Sequence, residues 1–533
     1  LVSYRTPDHL LINAMMSLNQ SEIPFMHIWS APANVLRSLV TKDPGFMMAN
    51  LLRDSLSAWV TSGQSMTPIA GTVINFGKAL VGKSKGYQAM IDAGILGGYE
   101  FSDNVEKSGL TLEKDLAKKA GQKGPLGLRT VTSLWEALEK GTTASDAATR
   151  ALIYERVLAD TGNEAEALFR SLEVMNFHRK GSSALIRVLT AAVPFFNARL
   201  QGLDLFYRAS TGNMNNKDAA AIQRKFLARG ATMMALSAMY WMLVSDDDEY
   251  KKQEQENKDN YWLLPSVGIR IPIPFEVGML FKVIPERIAA YLFGDDTGED
   301  LKNALKRNAM STFAFNPVPQ TVKPLVEALY DFNTFTWRPI VGESMSNMAP
   351  EYQTRPGTSK VATEIGGILG LSPLKVDHVI KGYTGTMGMY AIDTIDAIMD
   401  QFSNSPRASK RFEQLPVFRR FLVDPEARGN ITQYYLLKDA VDTTVRTMNM
   451  LEKTGESEAY MKYLTENLGT FAYKDYIRDT EKMMKELREA RRAVQSSSMS
   501  GDDKRDALTE LGRAEDQITS QIQDIKKSIA SMQ

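Results

Sequence analysis

The sequence predicts an all-α protein: a multi-helix elongated bundle with a Pro/Gly-rich irregular arm and a C-terminal helical hairpin. Three observations predict it. Apolar residues recur at spacings of three and four through most of the chain, the period of a helix rather than of a strand. The breaks between such runs carry helix punctuation, with Ser or Asn before and Gly or Pro after. Strand signals are confined to 261–264 and 267–273, both short, branched and flanked by Pro.

The elements follow in order. From Gly45 onward, Leu52, Leu56 and Trp59 fall at i, i+4 and i+7 on one helical face. A second helix is predicted over 142–160, with Ser145 as N-cap and Gly162 just past its end. Asn163 caps a third, with Leu168, Leu172 and Met175 on one face and Gly181 beyond. So short a turn sets these two helices antiparallel or nearly so. Residues 184–209 read as a long helix broken at Pro194, where the missing N–H and the ring clash end one segment. Residues 261–264 and 267–273 suit a small hairpin or an extended arm. Seven prolines between 317 and 373 predict an irregular stretch wrapping over the helical body or a neighbouring subunit. A charged helix over 473–494, a turn at 496–501 and a second helix over 503–532 close the chain. In that last helix Leu511, Ile518, Ile525 and Met532 are spaced by sevens, with Leu508, Ile522 and Ile529 as a companion row. This narrow seam needs a partner. The preceding helix offers Ile477, Met484, Leu487 and Val494 for an antiparallel hairpin, and another subunit is the alternative. The expected organisation is a helical domain over 1–210, a helical region with short extended segments over 211–310, the arm with a basic linker over 311–430, and the coiled-coil hairpin over 431–533.

Composition removes several chemistries. With no Cys there is no disulfide framework, thiolate nucleophile or Cys-ligated metal. The four histidines, His9, His27, His178 and His378, show no paired ligand spacing, so no metal and no cofactor is expected. His178, in a basic helical last turn, reads as a cap. Lys+Arg and Asp+Glu are equal at 63 each, against a surface that is basic throughout. A mean hydropathy of −0.25 argues against an ordinary polytopic membrane protein. The 27 methionines suit adaptable helical cores. Residue 1 is Leu, which fits a processed chain or a segment of a longer one.

Six stretches carry candidate chemistry. Residues 77–84 (GKALVGKS) fit G-x-x-x-x-G-K-[ST], but a phosphate loop needs a strand before Gly77 and a sheet with a second acidic strand. A Gly-rich helical connection is the plainer reading of Lys83 and Ser84. The acidic runs 246–249 and 294–300 do not fit an EF-hand, and 246–260 reads as a solvated loop. Residues 230–244 (GATMMALSAMYWMLV) carry no charge but fall short of the ~20 residues that span a bilayer. They form a buried core helix, or a segment that enters an envelope after a conformational change, with Met233, Met234, Met239, Tyr240, Trp241 and Met242 as lipid contacts. Residues 279–293 are a weaker case, interrupted by Lys282, Pro285, Glu286 and Arg287. Finally, Arg407, Lys410, Arg411, Arg419 and Arg420 are interleaved with Phe412, Phe418 and Phe421. Such a stretch neutralises phosphates and stacks bases, or it is a linker salt-bridged to an acidic neighbour.

The run at 148–181 (ATRALIYERVLADTGNEAEALFRSLEVMNFHRKG) followed by 193–202 (VPFFNARLQG) resembles a helical domain of the large polyvalent proteins of tailed bacteriophages. Residues 50–54 (NLLRD) with the Gly-rich stretch to Tyr99 resemble what precedes that domain, and 371–385 (LSPLKVDHVIKGYTG) resembles its end. The likeness covers roughly 45–425. It implies a non-enzymatic internal (ejection) protein of a short-tailed phage, held in the virion interior and released into the host envelope with the DNA. The implied partners are a homo-oligomeric ring or tube, other virion ejection proteins, DNA passing through a channel and, if 230–244 enters lipid, the host membrane. The family brings no agreed catalytic residues. Two other functions stay open: a helical adaptor tethering a virion enzyme to packaged DNA, and a P-loop nucleotide hydrolase.

Overall fold

A computed structural model of the chain describes residues 26–93, 126–174, 183–213, 219–294, 296–313, 316–334, 338–346, 348–355, 357–415, 417–423 and 429–532. Helix accounts for 77 % of these and strand for 3 %, so the fold is all-α. The expected cap at His178 and the helical positions 175–181 lie outside the described residues. The chain divides into two units. The first is Leu1–Thr232 with Pro274–Val277 and Thr312–Ala397; the second is Met233–Ile273 with Gly278–Ser311 and Ile398–Gln533.

The first unit opens with α1 (Met26–Thr41), α2 (Pro44–Thr61), α3 (Ala70–Leu80) and α4 (Lys85–Asp92), followed by α5 (Leu126–Thr161) and α6 (Glu164–Val174). Helices α2, α3, α4 and α6 all pack on α5. Their shared core is Ala58, Met66, Leu152, Ile153, Tyr154, Val157 and Ala167. Caps set the starts: Asp43 accepts from the Gly45 N–H with Pro44 in the first turn, and Asn163 accepts from the Glu166 N–H. Gly162 ends α5 at φ 64°. Gly86 lets α4 approach α5 closely, since a Cβ there would lie 2.6 Å from the Ala151 carbonyl oxygen. The start of α5 differs from the expectation. It lies at Leu126, and Ser145 sits inside the helix, buried, its hydroxyl donating to the Met47 carbonyl of α2 at 2.9 Å. A serine that finds a tertiary acceptor has no need to cap.

The predicted break at Pro194 is present between α7 (Ala184–Ala192) and α8 (Phe196–Thr211). The Pro-rich stretch is more ordered than expected. It holds α14 (Lys323–Leu329) and α15 (Lys360–Leu369), and α16 (Pro373–Gln401) starts within it; α9 to α13 are described below. Pro324 and Pro373 occupy first helical turns, where a missing N–H costs nothing. Buried Asp396 accepts from the Lys360 and Val361 N–H groups at the start of α15.

The second unit takes α9 (Ala219–Val244) from Met233 onward, then α10 (Asp248–Lys251) and α11 (Gln255–Asn260). The predicted hairpin follows: β1 (Tyr261–Leu264) pairs antiparallel with β2 (Ile269–Pro272), Tyr261 opposite Pro272. A π-helical segment, Met279–Val283, leads into α12 (Ile284–Phe293), and α13 (Gly298–Phe313) comes next. Pro285 explains the π turn: it has no N–H to offer Phe281, so the ladder shifts register just before it. The C-terminal bundle is α17 (Gly429–Thr454), α18 (Ser457–Glu466), α19 (Lys474–Ser496), α20 (Gly501–Ile518) and α21 (Ile522–Met532). The expected single helix over 503–532 is thus interrupted, at buried Thr519, whose hydroxyl turns back onto the Glu515 and Asp516 carbonyls. Ile518, Ile522, Ile525 and Ile529 pack with Tyr434, Leu437 and Val441 of α17 and with Ile477 and Met484 of α19. Leu511 is half-buried and stands outside that cluster.

Candidate functional site

Two helices of the second unit turn large apolar side chains outward. In α9, Met233, Ser237, Trp241 and Val244 form the buried stripe. Tyr240 is tied inward, its hydroxyl accepting from the Leu263 N–H at 2.7 Å and donating to the Leu263 carbonyl at 2.9 Å. The opposite face presents Met234, Leu236, Met239, Met242 and Leu243, the last 82 % exposed. Of the six residues expected to touch lipid, Met234, Met239 and Met242 therefore face outward. Met233 and Trp241 are core, and Tyr240 is held by β1. Helical period decides this split: 233, 237, 241 and 244 share one side of the helix.

Helix α12 and the π turn before it repeat the pattern. Lys282, Glu286 and Arg287 are buried, while Ile288, Tyr291, Leu292 and Phe293 are exposed, Phe293 to 79 %. The charges interrupting the apolar run 279–293 are turned inward. Gly294 lies against the Trp241 ring, where a Cβ would come within 2.9 Å of it, so the end of α12 abuts α9.

The inward charges form one network. Lys282 Nζ lies 2.9 Å from Glu286 Oε2 and also donates to the Lys258 carbonyl. Arg287 grips Asp259 through Nε at 2.8 Å and Nη2 at 2.7 Å, and reaches Asp296 at 3.1 Å through Nη1. Asp259 also accepts from Arg307 at 2.5 Å and from Asn308 at 2.9 Å. Burial would raise Asp259, but Arg287 and Arg307 hold it below the usual carboxylate range. Burial pushes Glu286 up to about 7 against the pull of Lys282. Burial, with Arg287 next, lowers Lys258 to about 7, and burial lowers Lys282 as well. Lys282 and Glu286 are thus both displaced towards their neutral forms, the cheaper state for a buried pair. The expectation of a solvated loop over 246–260 fails at Lys258 and Asp259, which are buried here. A signal was present in the sequence: charges at 282, 286 and 287 share one side of an otherwise apolar helix.

The other candidates take their places. The acidic runs serve as caps and ion partners: Asp247 accepts from the Glu249 and Tyr250 N–H groups, and Asp300 pairs with Lys526 at 2.9 Å. Gly77 lies inside α3, where a phosphate loop needs the end of a strand, and buried Ser84 caps α4 by accepting from the Tyr87 N–H. His378 contacts Glu327 at 2.8 Å in the first unit. Among the described residues no cluster of His, Asp or Glu has metal-binding geometry.

The basic stretch is an ordered strap. Lys504, buried, donates to Ser405 Oγ and to the Pro406 and Gln495 carbonyls at 2.8–2.9 Å. The Ser409 N–H reaches the Gly501 carbonyl, and the Phe421 carbonyl accepts from the Arg270 N–H of β2. The Phe412 and Phe418 rings lie 4.3 Å apart, tilted by 37°, both exposed in part. Arg407 pairs with Asp400 at 3.1 Å. Lys410, Arg411, Arg419 and Arg420 are likewise engaged within the fold, so a phosphate would have to exchange with existing partners.

Residues 247–418 match the model of the large polyvalent protein associated domain 38, which supports a phage large polyvalent protein domain in this chain. The match covers about a third of the 533 residues. It contains the 371–385 run, while 50–54, 148–181 and 193–202 fall outside it. No curated protein and no solved structure matches the chain.

Proposed function

We propose that the chain is an internal virion protein of a short-tailed phage that leaves the capsid with the DNA, assembles as a ring or tube, and helps conduct DNA across the host envelope. The match of 247–418 to a phage large polyvalent protein domain carries this reading. The all-α build and the absence of Cys suit a chain that changes compartment and must re-form its packing without disulfide exchange. On this reading its partners are further copies of itself, other ejection proteins, the passing DNA and the host membrane. Its role is conduction rather than catalysis.

Electron microscopy of the purified chain with analytical ultracentrifugation tests it. Rings or tubes are expected. A strict monomer at all concentrations that binds neither vesicles nor DNA would sink the proposal. The partly exposed Phe412 and Phe418 rings beside five basic residues favour a second reading, an adaptor that holds a virion enzyme to packaged DNA. Replacing Lys410, Arg411 and Arg419 by Ala should then weaken DNA retention and flatten its salt dependence. Unchanged retention counts against the adaptor.

A further inference from the structure

We infer that the outward faces of α9 from Met233 onward and of α12 form one lipid-binding surface, and that it lies within one leaflet of a bilayer rather than crossing it. The inference rests on the envelope-crossing reading above and names the surface that meets the envelope.

The partner follows from what the surface lacks. From Ala235 to Leu243 the outward positions of α9 hold Ala, Leu and Met; Ser237 points inward and Tyr240 is bonded to β1. Helical backbone groups there are already paired. A protein partner of ordinary kind needs hydrogen bonds, roughly one per 100–200 Å² of interface. This face offers none, and acyl chains ask for none. The network of Lys282, Glu286, Arg287 and Asp259 keeps the charges of α12 off the surface, so Ile288, Leu292 and Phe293 extend it, with the uncharged Tyr291 exposed among them, an amphipathic side chain suited to the headgroup level.

The depth follows from length. Among the described residues α9 is the one helix that passes for a membrane span by length and composition. Its charge-free part is only 230–244, about 22 Å at 1.5 Å per residue, against a hydrocarbon core of about 30 Å. Arg229 stands at one end and fully exposed Asp246 beyond the other. Half of α9 also stays committed to the protein through Trp241, Val244 and Tyr240. A helix that keeps one stripe on the protein and offers the other to lipid enters about 5–10 Å deep.

The chain has no Cys, so single labels are unambiguous. Met239→Cys and Leu292→Cys, each carrying an environment-sensitive nitrobenzoxadiazole, are mixed with phosphatidylethanolamine/phosphatidylglycerol vesicles; Met461→Cys, exposed on α18, is the control. A blue shift is expected at 239 and 292 and not at 461, quenched by nitroxides shallow in the leaflet but not by those at the bilayer centre. Leu236→Asp combined with Leu292→Asp should lower vesicle partitioning at least about tenfold, with circular dichroism unchanged because both sites are exposed. No shift on vesicles, quenching at the bilayer centre, or partitioning unchanged in the double variant overturns the inference. A shift that needs no vesicles and grows with protein concentration gives the face to a second copy instead. Rings imaged without vesicles would keep the proposed function standing if the lipid surface fails, so the two failures are distinguishable.

Discussion

Asp259→Ala is the sharpest probe of the buried network. The Asp259 carboxylate is 1 % exposed and takes four donors: Arg287 twice, Arg307 and Asn308. Removing it leaves the Arg287 guanidinium, itself 6 % exposed in its side chain, with Asp296 as its remaining partner in the network. Breaking one side of a buried pair costs about 3–5 kcal/mol, because the surviving charge stays desolvated. That is a large share of the 5–15 kcal/mol that holds a typical domain together. Asp259→Leu with Arg287→Met removes both charges and should recover most of the loss, since an apolar replacement of similar volume is often neutral. Urea unfolding followed by tryptophan fluorescence is the assay; Trp241 and Trp262 report on this unit. A loss below about 1 kcal/mol for Asp259→Ala, or a double variant as unstable as the single, would refute the view that these charges are a closed, mutually compensating set.

Three further outcomes are expected. Glu286 has a folded pKa raised to about 7 from 4.5, so the folded state holds its proton more tightly and its contribution to stability is lost as pH rises from about 4.5 to 7; Glu286→Gln should flatten that part of the stability curve, read by urea unfolding at pH 5, 6 and 7. Ile522→Ala, at a fully buried position between α17 and α19, should cost about 2–5 kcal/mol in the same assay, and Leu511→Ala clearly less. Ser84→Ala should cost about 1 kcal/mol through loss of the α4 cap, whereas exposed Lys83→Ala should change neither stability nor nucleotide retention, because Gly77 is helical.

The fold was legible where one residue type dictates geometry. Pro194 breaks a helix, Gly162 ends one, Asn163 starts one, and the Pro-flanked runs at 261 and 269 pair as a hairpin, all for local reasons. The misses are tertiary. Ser145 reads as a cap until Met47 of a distant helix claims its hydroxyl. The seven-residue row from Leu511 reads as one helix, but Thr519 interrupts it and α17 and α19 take up the isoleucines. The site was half legible. An uncharged stretch at 230–244 stands out in sequence, yet which side of it faces out depends on the β1 backbone that captures Tyr240. The charges at 282, 286 and 287 read as interruptions of an apolar segment. Only Asp259, 28 positions from Arg287, with Arg307 and Asn308 bonded to it from 48 and 49 positions further on, makes them an interior.

That interior bears on how the proposed lipid surface fits a chain with zero net charge and negative mean hydropathy. A helix placed at a membrane surface usually turns its charges to water and its apolar side to acyl chains. In α12 the charged side has no water to face, so the protein supplies the counter-charges: Asp259 and Asp296 for Arg287, and Glu286 for Lys282. Burial raises Glu286 and lowers Lys282, and the two lie 2.9 Å apart inside the fold, so neither faces the surface. The Arg287–Asp259 pair gains strength as its surroundings dry. On the lipid reading proposed above, this surface would need no charge turned inward before it meets acyl chains. Its exposed methionines, Met234, Met239 and Met242, can re-pack against either neighbour without a change of backbone.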